Sequence, residues 1–402
     1  MKRSVNLILI LYFFLIIGFI LNYDPNGGAY NDYQNHLRVI NDFKDSFIIT
    51  LFNYDNYATR HSPVLYIFIS LLYKLNIPDQ IVRIIYLHIN LLLPIVFYKC
   101  LLLKYTNINR KFLILFSGLI LLSPTFWSLS IWPDSRLLGL TFFCVSIYYF
   151  LNFKNQNNFS NSIKCIIAYG ISAYVSPNFA VFSIFYIYYF YLKFKFTNKL
   201  FIIIFVNILL SLPAFLYLFS LESIFLLQSA TPGGQEENTL NLSNKILIIG
   251  SIILFYILPF ILTKSIKVNF FDIKIFILSF VCVLICSFYF NYNFNLTGGG
   301  IFFQLSNFIF KNNFLFFLIC IISLIVIGNL FKFNKINILI IFLLLLSNPQ
   351  YTIYHKYYDP MMLILFLLII EFKISEIKLF NYRSTIIFYL YTGSFLIINL
   401  LK

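Results

Sequence analysis

The sequence predicts an all-α polytopic membrane protein with about thirteen transmembrane helices, and three observations predict it. Of its 402 residues 60% are hydrophobic and only 11% charged, where a soluble domain carries about a quarter charged residues. Apolar runs close to the roughly 20 residues needed to cross a bilayer recur along the whole chain. The strict apolar–polar alternation of a transmembrane barrel does not occur. The formal net charge of +15 fits short cytoplasmic loops rich in Lys and Arg, so it points to membrane topology and not to nucleic acid. The cysteines Cys100, Cys144, Cys165, Cys282, Cys286 and Cys320 all lie in apolar runs. None forms a paired metal motif in a loop.

Charge placement orders the elements. Lys2 and Arg3 hold the N-terminus inside, and residues 5–22 read as an uncleaved first span leading out. The stretch from Tyr23 to Pro63 is polar and external. Pro63–Leu75 is too short to cross and reads as an interfacial or re-entrant helix. With that choice Ile81–Leu103 runs inward and delivers Lys104, Arg110 and Lys111 to the cytoplasm. Residues 112–129 return outward and 137–152 inward. A short pair, 165–176 and 178–192, follows, and then 200–220 leads out. Spans at 246–263, 275–290, 312–331, 336–347, 360–371 and 385–401 complete the alternation. On this reading the inner side carries eighteen cations and three acids (Asp272, Glu371, Glu376), and the other eleven acids are external. Chemistry that needs carboxylates therefore belongs outside.

Five of the fourteen acids and two of the four histidines fall between Tyr23 and Pro63. Asp32 and His36 are one helical turn apart. They are expected near the border of an apolar arc of Tyr33, Leu37, Ile40, Phe43 and Phe47, on an amphipathic helix lying at the membrane surface. Gly27 and Gly28 turn the chain into it. Arg60 and His61 precede Ser62-Pro63 and suit either a phosphate group or interfacial anchoring by a snorkelling Arg. Asp134, after Trp132-Pro133, is either a helix cap or a second external carboxylate able to hold an acceptor or a divalent metal with Asp32; Arg136 can simply pair with it. His355, Lys356 and Tyr358 form an external basic and aromatic cluster, read as an anion site or a tyrosine belt. Glu222, Gln228, Glu236 and Glu237 flank a Pro/Gly loop at 231–234, and Gly298–Gly300 reads as a hinge. His88, inside a span, reads as a packing histidine.

The order of these features resembles the GT-C class of polytopic membrane glycosyltransferases, of the protein mannosyltransferase and aminoarabinose transferase type. NDYQNH at 31–36 is similar to the family's acidic loop motif, and RHSPVLYI at 60–67 to its His/Lys-Pro-Pro-Leu-Tyr run, with Ser62 in place of the first Pro. WPDSRL at 132–137 is similar to the second acidic site, and HKYYDP at 355–360 to the basic-Tyr-Pro segment before a late span. The likeness covers the layout of residues 1–190 and the patch near 355. Asp32 and Asp134 are single acids with no D-x-D, which leaves the metal open. The resemblance implies a catalytic module over residues 1–220, with an outer loop at 23–80, and a variable module over 221–402. It implies a polyprenyl-phosphate-linked sugar donor, a lipid, glycan or protein acceptor, and surrounding membrane lipids. Asp32 and Asp134 would be catalytic, and His36, Arg60, His61, His355, Lys356 and Tyr358 would hold substrate or phosphate. The expected location is a bacterial cytoplasmic membrane with the active site on its outer face. Two rival functions, a polysaccharide polymerase and a lipid-linked-sugar flippase, find less support. The external second-half loops hold no Arg for the polymerase, and few ionisable side chains, His88 among them, lie within spans for the flippase.

Overall fold

A computed structural model describes residues 2–57, 59, 61–221, 241–270, 272–293, 298–331, 334–348, 350–371 and 374–401. Among these residues all the regular secondary structure is helical, with no strand. Among the described residues five helices are long and apolar enough to cross a membrane, or six if a bent pair counts as one span. The chain divides into two compact units, Met1–Glu236 with Thr392–Lys402, and Glu237–Tyr391.

The first unit begins with α1 (Lys2–Ile20), followed by α2 (Ala29–Asp45), α3 (Phe47–Phe52) and α4 (Pro63–Lys74). The twelve residues of α4 span about 18 Å, well short of a hydrocarbon core of about 30 Å. Pro63 sits in its first turn and the Ser62 side chain caps it by accepting from Val64 N. Next, α5 (Asp79–Asn90) and α6 (Leu92–Lys104) run on as one apolar stretch of 26 residues. The run expected to cross unbroken at 112–129 is instead α7 (Arg110–Gly118), a short 3-10 turn, and α8 (Pro124–Ile131), bent by 64°. Pro124 has no amide hydrogen to continue the ladder, and Ser123 starts a new helix by accepting from Phe126 N. The core of the unit is α9 (Ser135–Gln156), packed on α6 and on α10 (Phe159–Val175). Gly139 lets α9 close on the chain after α10: a Cβ there would lie 2.6 Å from Ser176 Cβ, and the Gly139 carbonyl accepts from Ser172 Oγ at 2.7 Å. Stacked and edge-on rings from Phe143, Phe150 and Phe153 meet Phe179, Tyr186 and Phe190 of the segment entering α11 (Ser183–Phe194). The unit continues into α12 (Asn198–Ser220).

The second unit is built on α13 (Leu242–Leu262), against which α14 (Ile273–Phe288), α15 (Gly300–Phe310), α16 (Phe314–Phe331), α17 (Lys335–Leu346) and α18 (Met361–Leu368) pack. A single turn, α19 (Glu376–Leu379), precedes α20 (Tyr382–Leu400). The expected outer loop after residue 290 contains α15. Gly298, Gly299 and Gly300, read from sequence as a hinge, adopt left-handed backbone at its start. A Cβ on Gly298 would lie 2.8 Å from the Ile353 carbonyl, so close approach of two backbones requires that glycine.

Candidate functional site

The centre of the first unit's polar region is Arg136. Its Nε donates to Asp134 Oδ1 at 3.1 Å and its Nη2 to Asp134 Oδ2 at 2.8 Å. The same Nη2 lies 4.0 Å from Asp32 Oδ2. Asp134 and Asp32, far apart in sequence, therefore flank one guanidinium. Asp134 is also the N-cap of α9, accepting from Arg136 N at 2.7 Å. Its carbonyl accepts from Tyr86 Oη of α5 at 2.5 Å. The cap reading holds, and with it the pairing to Arg136.

The two carboxylates differ in exposure. The Asp134 side chain is 3% exposed and that of Asp32 is 41%. Burial by itself raises the Asp134 pKa, but Arg136 and His61 overcome it and hold the carboxyl well below the usual range. Asp134 is therefore a fixed anion, and Asp32 is the carboxylate that a ligand can reach.

α2 presents Ala29, Tyr33, His36, Val39, Ile40 and Phe43 inward. This corrects the expected arc: His36 lies within the buried stripe and not at its border, while Leu37 and Phe47 are only half-buried. The polar ring of His36 takes an inward position because aromatic partners receive it. It meets His61 edge-on at 4.8 Å between centroids and lies 4.9 Å from the Tyr66 ring of α4. Its Nδ1 is buried and has no hydrogen-bond partner among the described residues. Burial, and secondarily His61, push the His36 pKa down to about 3, so the ring is neutral at physiological pH. His61 is tied to the same assembly: Nδ1 shares a hydrogen bond with Ser135 Oγ at 2.9 Å and its carbonyl accepts from Tyr54 Oη at 2.8 Å. Arg60 lies outside the described residues.

One flank of this assembly is aromatic. Arg83 of α5 lies 3.6 Å from the centroid of Trp132, donates to the Ile131 carbonyl at 3.1 Å and to Asn22 Oδ1 at 2.8 Å. Tyr30 and Tyr33 of α2 face the same indole at 4.8 and 6.0 Å. These bonds join α5 to the chain after α1 and to the end of α8, and Tyr30 and Tyr33 bring α2 to the same place.

His355, Lys356 and Tyr358 belong to the second unit. His355 Nε2 bonds Tyr256 Oη at 3.0 Å and its ring stacks on Tyr256. Lys356 Nζ stands 5.1 Å from the Tyr354 ring centroid, and Tyr358 is 1% exposed. This cluster is built chiefly from aromatic contacts. Glu222, Gln228, Glu236, Glu237 and the loop 231–234 lie outside the described residues. His88 shares a hydrogen bond with Tyr12 Oη of α1 at 3.0 Å, which is helix packing. Among the described residues no group of three or more His, Cys, Asp or Glu gathers as metal ligands. The position between Asp32 and Asp134 is taken by the Arg136 guanidinium, so the pair as arranged does not fit a divalent ion.

Sequence reading missed the weight of Arg136, Tyr66 and Ser135. The Asp-Ser-Arg spacing was the available signal, since a cap at Asp134 places the residue two positions on within reach of the same carboxylate. No known protein family, curated protein or solved structure matches this chain.

Proposed function

We propose that the chain is a membrane glycosyltransferase that moves a sugar from a polyprenyl-phosphate donor to a lipid, glycan or protein acceptor, at the non-cytoplasmic face of a bacterial cytoplasmic membrane. The observation that carries the reading is the half-exposed Asp32 held beside a buried, ionised Asp134–Arg136 pair and a neutral histidine. In this reading Asp32 accepts the proton of the acceptor hydroxyl as its oxygen attacks the anomeric carbon. The bond from that carbon to the donor phosphate breaks on the opposite side, and the phosphate leaves with the electron pair. Arg136 orients Asp32 and Asp134 anchors Arg136. His61 stands on the same side to donate to the phosphate. The second-unit cluster enters no step. The thirteen-crossing topology belongs to the same proposal. A helix lies in each of the thirteen apolar runs, and several of them, α17 and α18 among them, are too short to cross unaided.

The test is transfer from a radiolabelled polyprenyl-phosphate sugar by the full chain in liposomes. Asp32→Asn is expected to lose at least about a hundredfold in rate, the scale of a removed general base, with expression unchanged. Undiminished transfer by that variant overturns the assignment.

A further inference from the structure

A further ionisable group is buried in the second unit. Lys245 lies in the first turn of α13 and is 2% exposed. Its Nζ has no hydrogen-bond partner and no carboxylate counterion among the described residues. Two independent effects oppose a cation in this place. A buried ammonium is stable only when paired, and the first turn of a helix is the positive end of its dipole. Side chains of a helix lean toward its N-terminus; of the first amides of α13, those of Leu242 and Ser243 have no intrahelical partner, while Asn244 N donates to Asn241 Oδ1 and Lys245 N to the Asn241 carbonyl.

The surroundings of that turn are built and polar. Asn241 caps α13 by accepting from Asn244 N, and the side-chain amides of Asn241 and Asn244 both donate to Asn291 Oδ1, at 2.7 and 2.8 Å. Asn291 N donates back to Asn244 Oδ1, and Tyr351 Oη donates to the Asn291 carbonyl. This clamp fixes the chain after α14 beside the first turn of α13. It uses up the carboxamides and leaves the lysine as the only positive side chain of that turn.

We propose that Lys245 and the first turn of α13 form a binding site for a phosphate-type anion. The ammonium supplies the charge and the helix start supplies amide donors, the arrangement by which helix N-termini hold phosphates. The site lies in the second unit and stands whether or not the first unit is a transferase. A phospholipid headgroup and a soluble phosphate both have this chemistry.

The experiment uses the full chain, delipidated in a neutral detergent. Its thermal midpoint is followed with inorganic phosphate, with phosphatidic acid in the micelle, and with neutral diacylglycerol as control. The midpoint is expected to rise with phosphatidic acid and not with diacylglycerol. At a hundredfold excess over Kd the rise corresponds to about a hundredfold gain in the folded-to-unfolded ratio. A rise with inorganic phosphate as well supports a soluble source; a rise confined to phosphatidic acid supports a lipid. Lys245→Arg is expected to keep the response and Lys245→Met to lose it. No rise with either phosphate, or an equal rise in Lys245→Met, overturns the proposal. Should Lys245→Met not fold, native mass spectrometry of the wild type with phosphatidic acid decides: one molecule retained through detergent exchange supports the site, and an unliganded spectrum alone overturns it.

Discussion

His36 and Asp134 show how neighbours set the charge of a residue more than its type does. His36 lies against two aromatic rings, its Nδ1 has no hydrogen-bond partner among the described residues, and its pKa falls to about 3. In the unfolded chain it titrates near 6.5, so between these values the unfolded state holds one more proton. Stability then falls with acidification through that window, by about 1.4 kcal/mol per pH unit. His36→Phe is expected to flatten this slope in pH-dependent melting. Asp134 acts on the acid side of that range. Its folded pKa is depressed, so its contribution is present above the ordinary carboxylate pKa of about 4 and is lost as pH falls below it. The His36→Phe variant should therefore keep its loss of stability under about pH 4. Asp134→Asn leaves the Arg136 guanidinium without its bidentate partner and is expected to cost about 3 kcal/mol in denaturant melting.

Among the elements, α2, α4 and α9 together make the site, and each has its own local cause. α2 has the 3–4 spacing of an amphipathic helix, and its partner α4 begins where Ser62 and Pro63 dictate. α9 packs closely on the chain after α10 at Gly139. Gly139→Ala would place a methyl group 2.6 Å from Ser176 Cβ and about 3.2 Å from Phe179. The expected result is a loss of about 2 kcal/mol, typical of overpacking, read as a lower thermal midpoint with the helix content unchanged. The break at Ser123-Pro124 was legible in retrospect from Ser followed by Pro. An apolar count over 112–129 hides it, because a proline inside a long hydrophobic run barely lowers its hydropathy.

For the whole molecule, sidedness is the quantity that decides between readings. Asn31 of α2 and Asn76 after α4 are both exposed, and the proposed topology, in which α4 does not cross, puts them on one face. Single cysteines at these two positions should react with a membrane-impermeant maleimide from the same side of intact cells. A cysteine at Arg110 should react from the other side if the bent pair crosses. Labelling of residue 110 from the same side as residue 31 would make that pair re-entrant and remove the alternation on which the thirteen-crossing count rests.

The helical class, the short α4 and the polar first loop were readable from residue order because they depend on local quantities: apolar run length, proline and cap positions, and the 3.6-residue period. The meeting of Asp32 with Asp134 through Arg136, the inward turn of His36, the bend at Pro124, the α15 helix and the burial of Lys245 were decided only in three dimensions. Each of these depends on which surface packs against which. An ionisable side chain carries no sign in the sequence of whether its neighbours will be water, a counterion or an aromatic ring, and that difference sets whether it is charged and reachable.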